Sequence, residues 1–339
     1  MEVVHINNPL FWRYWTQLSD STEYQHPLFS EYGLDFYKEY FFNDFSYEDK
    51  SLIIVEDKVP LVGAIICLEN RSGKQALSGY GRGINYVENQ GKNLNGIKAA
   101  RKLFKKMFNS MWQNFHIDYI LLRDYVLVDG SLSNLCRNVL DRGGEAKMLF
   151  LHTIDLSRSL EDVHKDFTKS CRHGVNWGLK NLTLEIKNSQ NIAAHDMDNL
   201  RALHIKEAGR ETRSKKSWDV LYSLVSREQS FMVNGLLNGV LVSSALFMYN
   251  KQCCLYGVST SSRDMFKKPI GHVVIWEAIK YAKGMDCNYF DFGDLIYSGP
   301  GYQASNKEHN INRFKKSFGG TTKIQPLVEW KDSSICANQ

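Results

Sequence analysis

The sequence predicts an α/β chain built from two copies of one unit, each a mixed β-sheet flanked by helices. Three observations carry this expectation. The order strand, tight turn, strand, strand, glycine-bearing loop, helix, strand occurs over residues 51–126 and again over 230–292. The third strand ends in Tyr80-Gly81 in the first copy and in Tyr256-Gly257 in the second. The length, 339 residues, allows two domains at roughly 100–200 residues each.

In the first copy, residues 10–15 (Leu-Phe-Trp-Arg-Tyr-Trp) and Leu34 to Phe45 read as short amphipathic helices. Ser51 to Glu56 and Val59 to Glu69 are apolar runs around the turn Asp57-Lys58, with Pro60 near the start of the second. Gln75 to Arg82 is a further strand, followed by a loop rich in glycine and asparagine. Leu94 to Phe115 has helical periodicity through Ile97, Ala100, Leu103, Phe104, Met107, Met111 and Trp112. Asp118 to Val126 closes the copy as a strand.

A helical stretch separates the copies: Ser159 to Lys180, Met197 to Ala208 and Ser217 to Val225. In the second copy, Ser230 to Leu236 and Val240 to Tyr249 flank Asn238-Gly239, a strong hairpin signal. Cys253 to Ser259 is the third strand. Val273 to Lys283 is a helix between Pro269 and Gly284, and Asp286 to Phe292 is the last strand.

Composition excludes several classes. Apolar residues are 43% and charged residues 23%, the balance of an ordinary globular chain and not of a disordered, collagen-like or coiled-coil one. Lys and Arg number 42 against 37 Asp and Glu, so the net charge of +5 permits a polyanionic partner without requiring one. The cysteines number seven with no repeated spacing, which argues for reduced thiols and not a disulfide framework. No signal-peptide pattern and no run of ~18–20 apolar residues is present, so a cytoplasmic location is expected. The histidines show no H-x-x-H or H-E-x-x-H spacing, and no metal site is expected. Gly79, Gly81 and Gly83 alternate but do not open directly into a helix, unlike a dinucleotide fingerprint.

Four patches together resemble the FemABX family of nonribosomal peptidyltransferases. They are residues 167–178, with the basic run around Arg172; residues 217–221, with Trp218; residues 270–292; and residues 312–320, Asn-Arg-Phe-Lys-Lys-Ser-Phe-Gly-Gly. The last matches the family's Phe-Lys-x-x-Phe-Gly signature. The match covers most of residues 150–330 and is weak before that, where Ser78 to Gly83 only approaches the family's Ser-x-x-Tyr-Gly-Gly stretch. The long helical arm of some members is absent. The resemblance implies tandem GNAT-like (N-acyltransferase-like) domains, expected at 1–155 and 156–335, with 156–228 a helical linking region and 229–335 the second sheet.

It further implies transfer of an aminoacyl or acyl group to an amine of a cell-envelope precursor, either a peptidoglycan-type peptide or a surface-polysaccharide amino sugar. The implied donor is aminoacyl-tRNA, with no permanently bound cofactor. tRNA and a membrane surface carrying a lipid-linked acceptor are the partners this brings, and DNA is not one. Two alternatives stay open: an acyl-coenzyme A-dependent enzyme of O-antigen or capsule biosynthesis, and an inactive tandem-domain binding protein. Residues 266–272 hold one glycine and a proline, which removes an N–H and counts against a standard coenzyme A loop. Residues 90–96 are a weak phosphate-loop candidate.

Lys315, the lysine of the Phe-Lys motif, is the expected oxyanion donor. Asp291 and Asp294 at a strand end are candidates to orient the amine or take its proton, and Tyr256 to protonate the leaving group. Arg172 and Arg210 are candidates for phosphate or carboxylate binding, with Arg213 beside them. Phe314, Phe318, Trp218 and Tyr80 are expected as pocket walls.

Overall fold

The computed structural model describes residues 1–41, 46–91, 95–124, 131–265, 267–299 and 301–332. The chain separates into two compact units. The first takes residues 1–25, 29–149 and 324 onward, and the second takes 26–28 and 150–323. The division near 150 lies inside one strand, and the last strand returns to the first unit, so these limits differ from 1–155 and 156–335. That return is made by pairing and not by an apolar pattern that a linear reading could see.

The first unit contains β1 (Glu2–His5), α1 (Phe11–Asp20), α2 (Gly33–Phe41), β2 (Ser46–Asp49), β3 (Leu52–Glu56), β4 (Val59–Ile65), β5 (Cys67–Arg71), β6 (Lys74–Ser78), β7 (Asn85–Glu88), α3 (Ile97–Asn114), β8 (Tyr119–Arg123) and α4 (Asn134–Leu140). β9 (Glu145–Asp155) leads onward, and the chain's last strand, β15 (Thr321–Lys331), pairs antiparallel with β8. β1, β3, β4 and β7 lie side by side in that order, as do β15, β8, β6, β5 and β2. The expected single strand from Val59 to Glu69 is broken at Ile66. There the Ser51 hydroxyl takes the Ile66 amide at 3.0 Å, and the chain leaves the partners of β4 for those of β5. The expected strand to Arg82 ends at Ser78 in a tight turn with Tyr80 at φ 57° and Gly81 at φ 77°. β7 then forms where a loop was expected. Ala100, Phe104, Phe108 and Trp112 recur at helical spacing and bury one face of α3 in this unit's core.

The second unit continues with α5 (Leu160–Lys165), α6 (Lys169–Asn181), β10 (Thr183–Lys187), α7 (Ala194–Ala208), α8 (Lys215–Ser226), β11 (Ser230–Leu237), β12 (Val240–Tyr249), β13 (Cys253–Ser261), α9 (Ile270–Gly284), β14 (Tyr289–Leu295) and α10 (Asn306–Lys316). Its strands run β10-β11-β12-β13-β14-β9, and the β13–β14 pair, joined through α9, is parallel. The helix expected over Ser159 to Lys180 is two helices. Ser159 caps α5, and the Thr168 hydroxyl accepts from Cys171 N at 3.2 Å to start α6 afresh. Asn238 and Gly239 have φ 51° and 80°, the left-handed pair a two-residue hairpin needs. α9 is buried through Val273, Val274, Ile275, Ala278 and Ile279. Gly174 and Gly178 of α6 let that helix close on it: a Cβ at Gly178 would sit 2.4 Å from Val273 Cγ1.

Cys67, Cys136, Cys171, Cys253, Cys254 and Cys287 are buried and form no disulfide. Cys336, Leu94, Phe266, Val126 and residues 42–45 of the expected first-copy helix lie outside the described residues. No helix among those described is long and apolar enough to cross a membrane.

Candidate active site

β13 and β14 pair over Cys253–Leu255 and Tyr289–Asp291, and their ladder ends there. β13 runs on along β12 to Ser261, while β14 follows β9. A bulge between Asp291 and Asp294, with Gly293 at φ 72°, increases the divergence. Parallel strands that separate at their carboxyl ends leave a crevice bordered by main-chain polar groups, the usual ligand position in such sheets.

Lys315 reaches this bulge from α10. Its Nζ donates to Asp294 O at 2.8 Å, and a Cβ at Gly293 would lie 3.9 Å from it. An ammonium carries three donors, so two are left for a ligand. Burial lowers the Lys315 pKa, while Asp294 and Asp291 pull the other way. Asp291 is fully buried, and its Oδ1 accepts from Gly293 N at 2.5 Å, so it shapes the bulge. Asp294 is half-buried, and of the two its carboxylate is the more open to an incoming amine.

A cleft of about 350 Å³ lies alongside, between β12, β13 and the start of α9. Tyr256, Phe314, Lys268 and His272 line it, with the hydroxyls of Ser243, Ser259, Thr260 and Ser261. Tyr256 Oη donates to Ser259 Oγ at 2.6 Å, and burial raises its pKa. A neutral phenol at working pH can give a proton to a leaving oxygen. α9 opens at Pro269 with no side-chain cap; Ile270 N and His272 N donate to Lys268 O and Pro269 O, and the positive end of the helix dipole favours an oxygen-rich ligand. His272 was not anticipated, because a lone histidine after a glycine carries no sequence signal. Burial lowers its pKa, its Nδ1 is buried without a partner, and its ring lies 5.1 Å from that of Phe314.

The remaining expected residues are placed differently. Phe318 is fully buried between Phe167, Phe292 and Phe314, so it supports the cleft wall from behind and is not itself a wall. Arg172 spends its Nη1 on the carbonyls of Lys165 at 2.9 Å and of Phe167, which ties the end of α5 to α6. Arg210 is exposed just after Gly209, the left-handed residue that ends α7. Trp218 is buried at 2% exposure, edge-on to His204 and 4.9 Å beneath Arg213. Trp218 Nε1 and His204 Nδ1 are buried there without hydrogen-bond partners. The polar cluster thus gathers Arg213 and not Arg210. Lys206 and Lys215 pair with Asp264 and Asp219, each at 3.1 Å, and add no free charge there. Tyr80 belongs to the first unit, is 1% exposed, and donates its hydroxyl to Asp49 Oδ2, so it is not an open pocket wall.

No protein-family model matches the chain, and no curated protein does. Solved structures do. FemX superposes with TM-score 0.71 at 13% identity, covering 99% of this chain and 98% of that one. The C-terminal domain of a putative lysylphosphatidylglycerol synthetase from Agrobacterium fabrum gives 0.58 at 14%, covering 85% and 86%. A tandem GNAT protein from the clavulanic acid biosynthesis pathway gives 0.53 at 10%, covering 97% and 98%. These likenesses show the fold, which is the mixed α/β tandem GNAT-like fold.

Proposed function

We propose that the chain is an N-acyltransferase of FemABX type that moves an aminoacyl or acyl group from an activated ester to an amine of a cell-envelope precursor. The observation that carries this is Lys315, held on Asp294 O at 2.8 Å where β14 parts from β13, with Phe314 in the adjoining cleft. In the step, the amine nitrogen bonds to the ester carbonyl carbon and charge moves to the carbonyl oxygen. Lys315 Nζ donates to that oxygen. The amine proton passes to Asp294, directly or through water. The C–O bond then breaks, and the departing oxygen takes a proton from Tyr256. The products are an amide and the free hydroxyl of the donor.

Aminoacyl-tRNA is the preferred donor. Pro269 precedes α9 where a glycine-rich turn would stand, which supports a donor without the pyrophosphate grip of a coenzyme A loop. The uncapped first turn of α9 favours acyl-coenzyme A as the second reading. Candidate amine acceptors, including lipid-linked ones, are incubated with each donor and analysed by mass spectrometry. Amide formation that RNase abolishes supports the first donor, and formation that needs a coenzyme A thioester supports the second. Transfer from neither donor refutes the proposal.

A further inference from the structure

We propose that a second ligand site lies in the first unit, in the cleft between α3 and α4, and that it takes a small molecule with a phosphate beside an aromatic or apolar group. The cleft measures about 360 Å³, at the small end of ligand pockets. In each unit, the helix that joins the parallel strands flanks a cleft with the helix that follows: α3 with α4 here, and α9 with Phe314 of α10 in the second unit.

The apolar part of the site is made by Tyr86, Phe104 and Leu135, all nearly fully buried. Behind them lies Glu88, 3% exposed. Its Oε1 accepts from Tyr86 Oη and Asn134 Nδ2, each at 2.7 Å, and its Oε2 accepts from Arg101 Nε at 2.8 Å and Nη2 at 2.6 Å. These contacts use one edge of the guanidinium. Nη1 and the second proton of Nη2 remain, on a cation that a buried carboxylate holds in place at the cleft wall.

Lys102, Lys105 and Arg137 line the same cleft, and none of them has an acidic partner among the described residues. Arg137 reaches only the Asn134 amide oxygen, at 3.0 Å. Glu88 balances Arg101, and Asp141 is the lining carboxylate, so the walls keep a positive excess. Lys102 and Lys105 stand one turn apart on α3, an arrangement that costs repulsion unless an anion lies between them. A phosphate, with its double charge and several acceptors, satisfies such a set better than a carboxylate.

Phenyl phosphate is titrated into the full chain at low salt by calorimetry, with benzoate as the carboxylate comparison. Saturable one-to-one binding, at least about tenfold tighter than benzoate, is expected. Lys105→Ala with Arg137→Ala, both exposed, weakens it by about tenfold or more, while Lys98→Ala with Lys106→Ala leaves it unchanged. Lys315→Met binds as the unmodified chain does, so this site stands or falls separately from the transfer chemistry. No saturable binding at millimolar phenyl phosphate overturns the proposal. So does a Lys105→Ala/Arg137→Ala chain that binds normally.

Discussion

Replacing Lys315 by methionine keeps a long side chain and removes its charge and donors. The bond from Nζ to Asp294 O, 2.8 Å long, is lost. A buried charged hydrogen bond of this kind contributes about 1.5–3 kcal/mol. Relief from keeping an ammonium out of water offsets a similar amount, so the melting temperature should barely move. Turnover should fall much further. Loss of one aimed oxyanion donor costs about 10²–10³ in kcat, or about 2.7–4 kcal/mol. The pH dependence has a definite sign. Burial lowers the Lys315 pKa from 10.5, so rate that depends on its charged form is lost as pH rises through a value below that of a free lysine. Between the lowered value and 10.5 the unfolded chain holds more protons than the folded one, so stability gains from this residue as pH rises there. Rate is followed as amide product by mass spectrometry, and stability by thermal melting. A Lys315→Met chain that turns over at the unmodified rate would refute the oxyanion role.

Other substitutions separate scaffold from site. Arg172→Ala should lower stability by about 1–3 kcal/mol without changing KM, because its contacts are the carbonyls that end α5; a large KM change with an unchanged melt would return it to the binding surface. Gly178→Ala should destabilise by about 1–3 kcal/mol, since its Cβ meets Val273 at 2.4 Å, whereas Gly284→Ala, with open space around it, should be neutral or slightly stabilising in the same denaturation assay. His152 Nε2 donates to Gly319 O at 2.8 Å, its Nδ1 accepts from Thr322 Oγ1 at 3.2 Å, and burial lowers its pKa. Its contribution should be full above the unfolded value of 6.5 and fade as pH falls through the lowered folded one, so His152→Gln should cost less at pH 5 than at pH 7.5. Glu308, held down to about 2 by Tyr302 and Ser305, should lose its contribution as pH falls from 4.5 towards 2, a dependence that Glu308→Gln removes from acid titrations of stability.

The second unit was more legible than the first, for a physical reason. β11, β12 and β13 each keep one set of partners, so apolar runs and the Asn238-Gly239 turn report them directly. In the first unit the chain is redirected mid-run at Ile66, whose N–H donates to the hydroxyl of Ser51 15 residues away, and again at the Gly79–Arg82 turn. The terminal strand β15 returns to β8 across some 200 residues, which no local pattern encodes. Among site residues, Lys315, Phe314, Tyr256 and Asp294 were reached through a motif and a strand end; Lys315 meets Asp294 O at the β14 bulge, and Phe314 and Tyr256 line one cleft. Arg172, Arg210 and Trp218 were read from charge and ring type, which say nothing about direction. Their side chains turn to carbonyls, to solvent and to the core. His272 lay outside any pattern, since only the close approach of α6 at Gly174 and the ring of Phe314 give it a role.

The most direct measurement is single-turnover transfer with a labelled aminoacyl-tRNA pool and an amine-bearing envelope precursor, run with the unmodified chain and with Lys315→Met. The account predicts RNase-sensitive transfer of label into an amide by the first and at least about 10²-fold slower transfer by the second. Equal rates from both chains, or no amide from either an aminoacyl-tRNA or an acyl-coenzyme A donor, would contradict it.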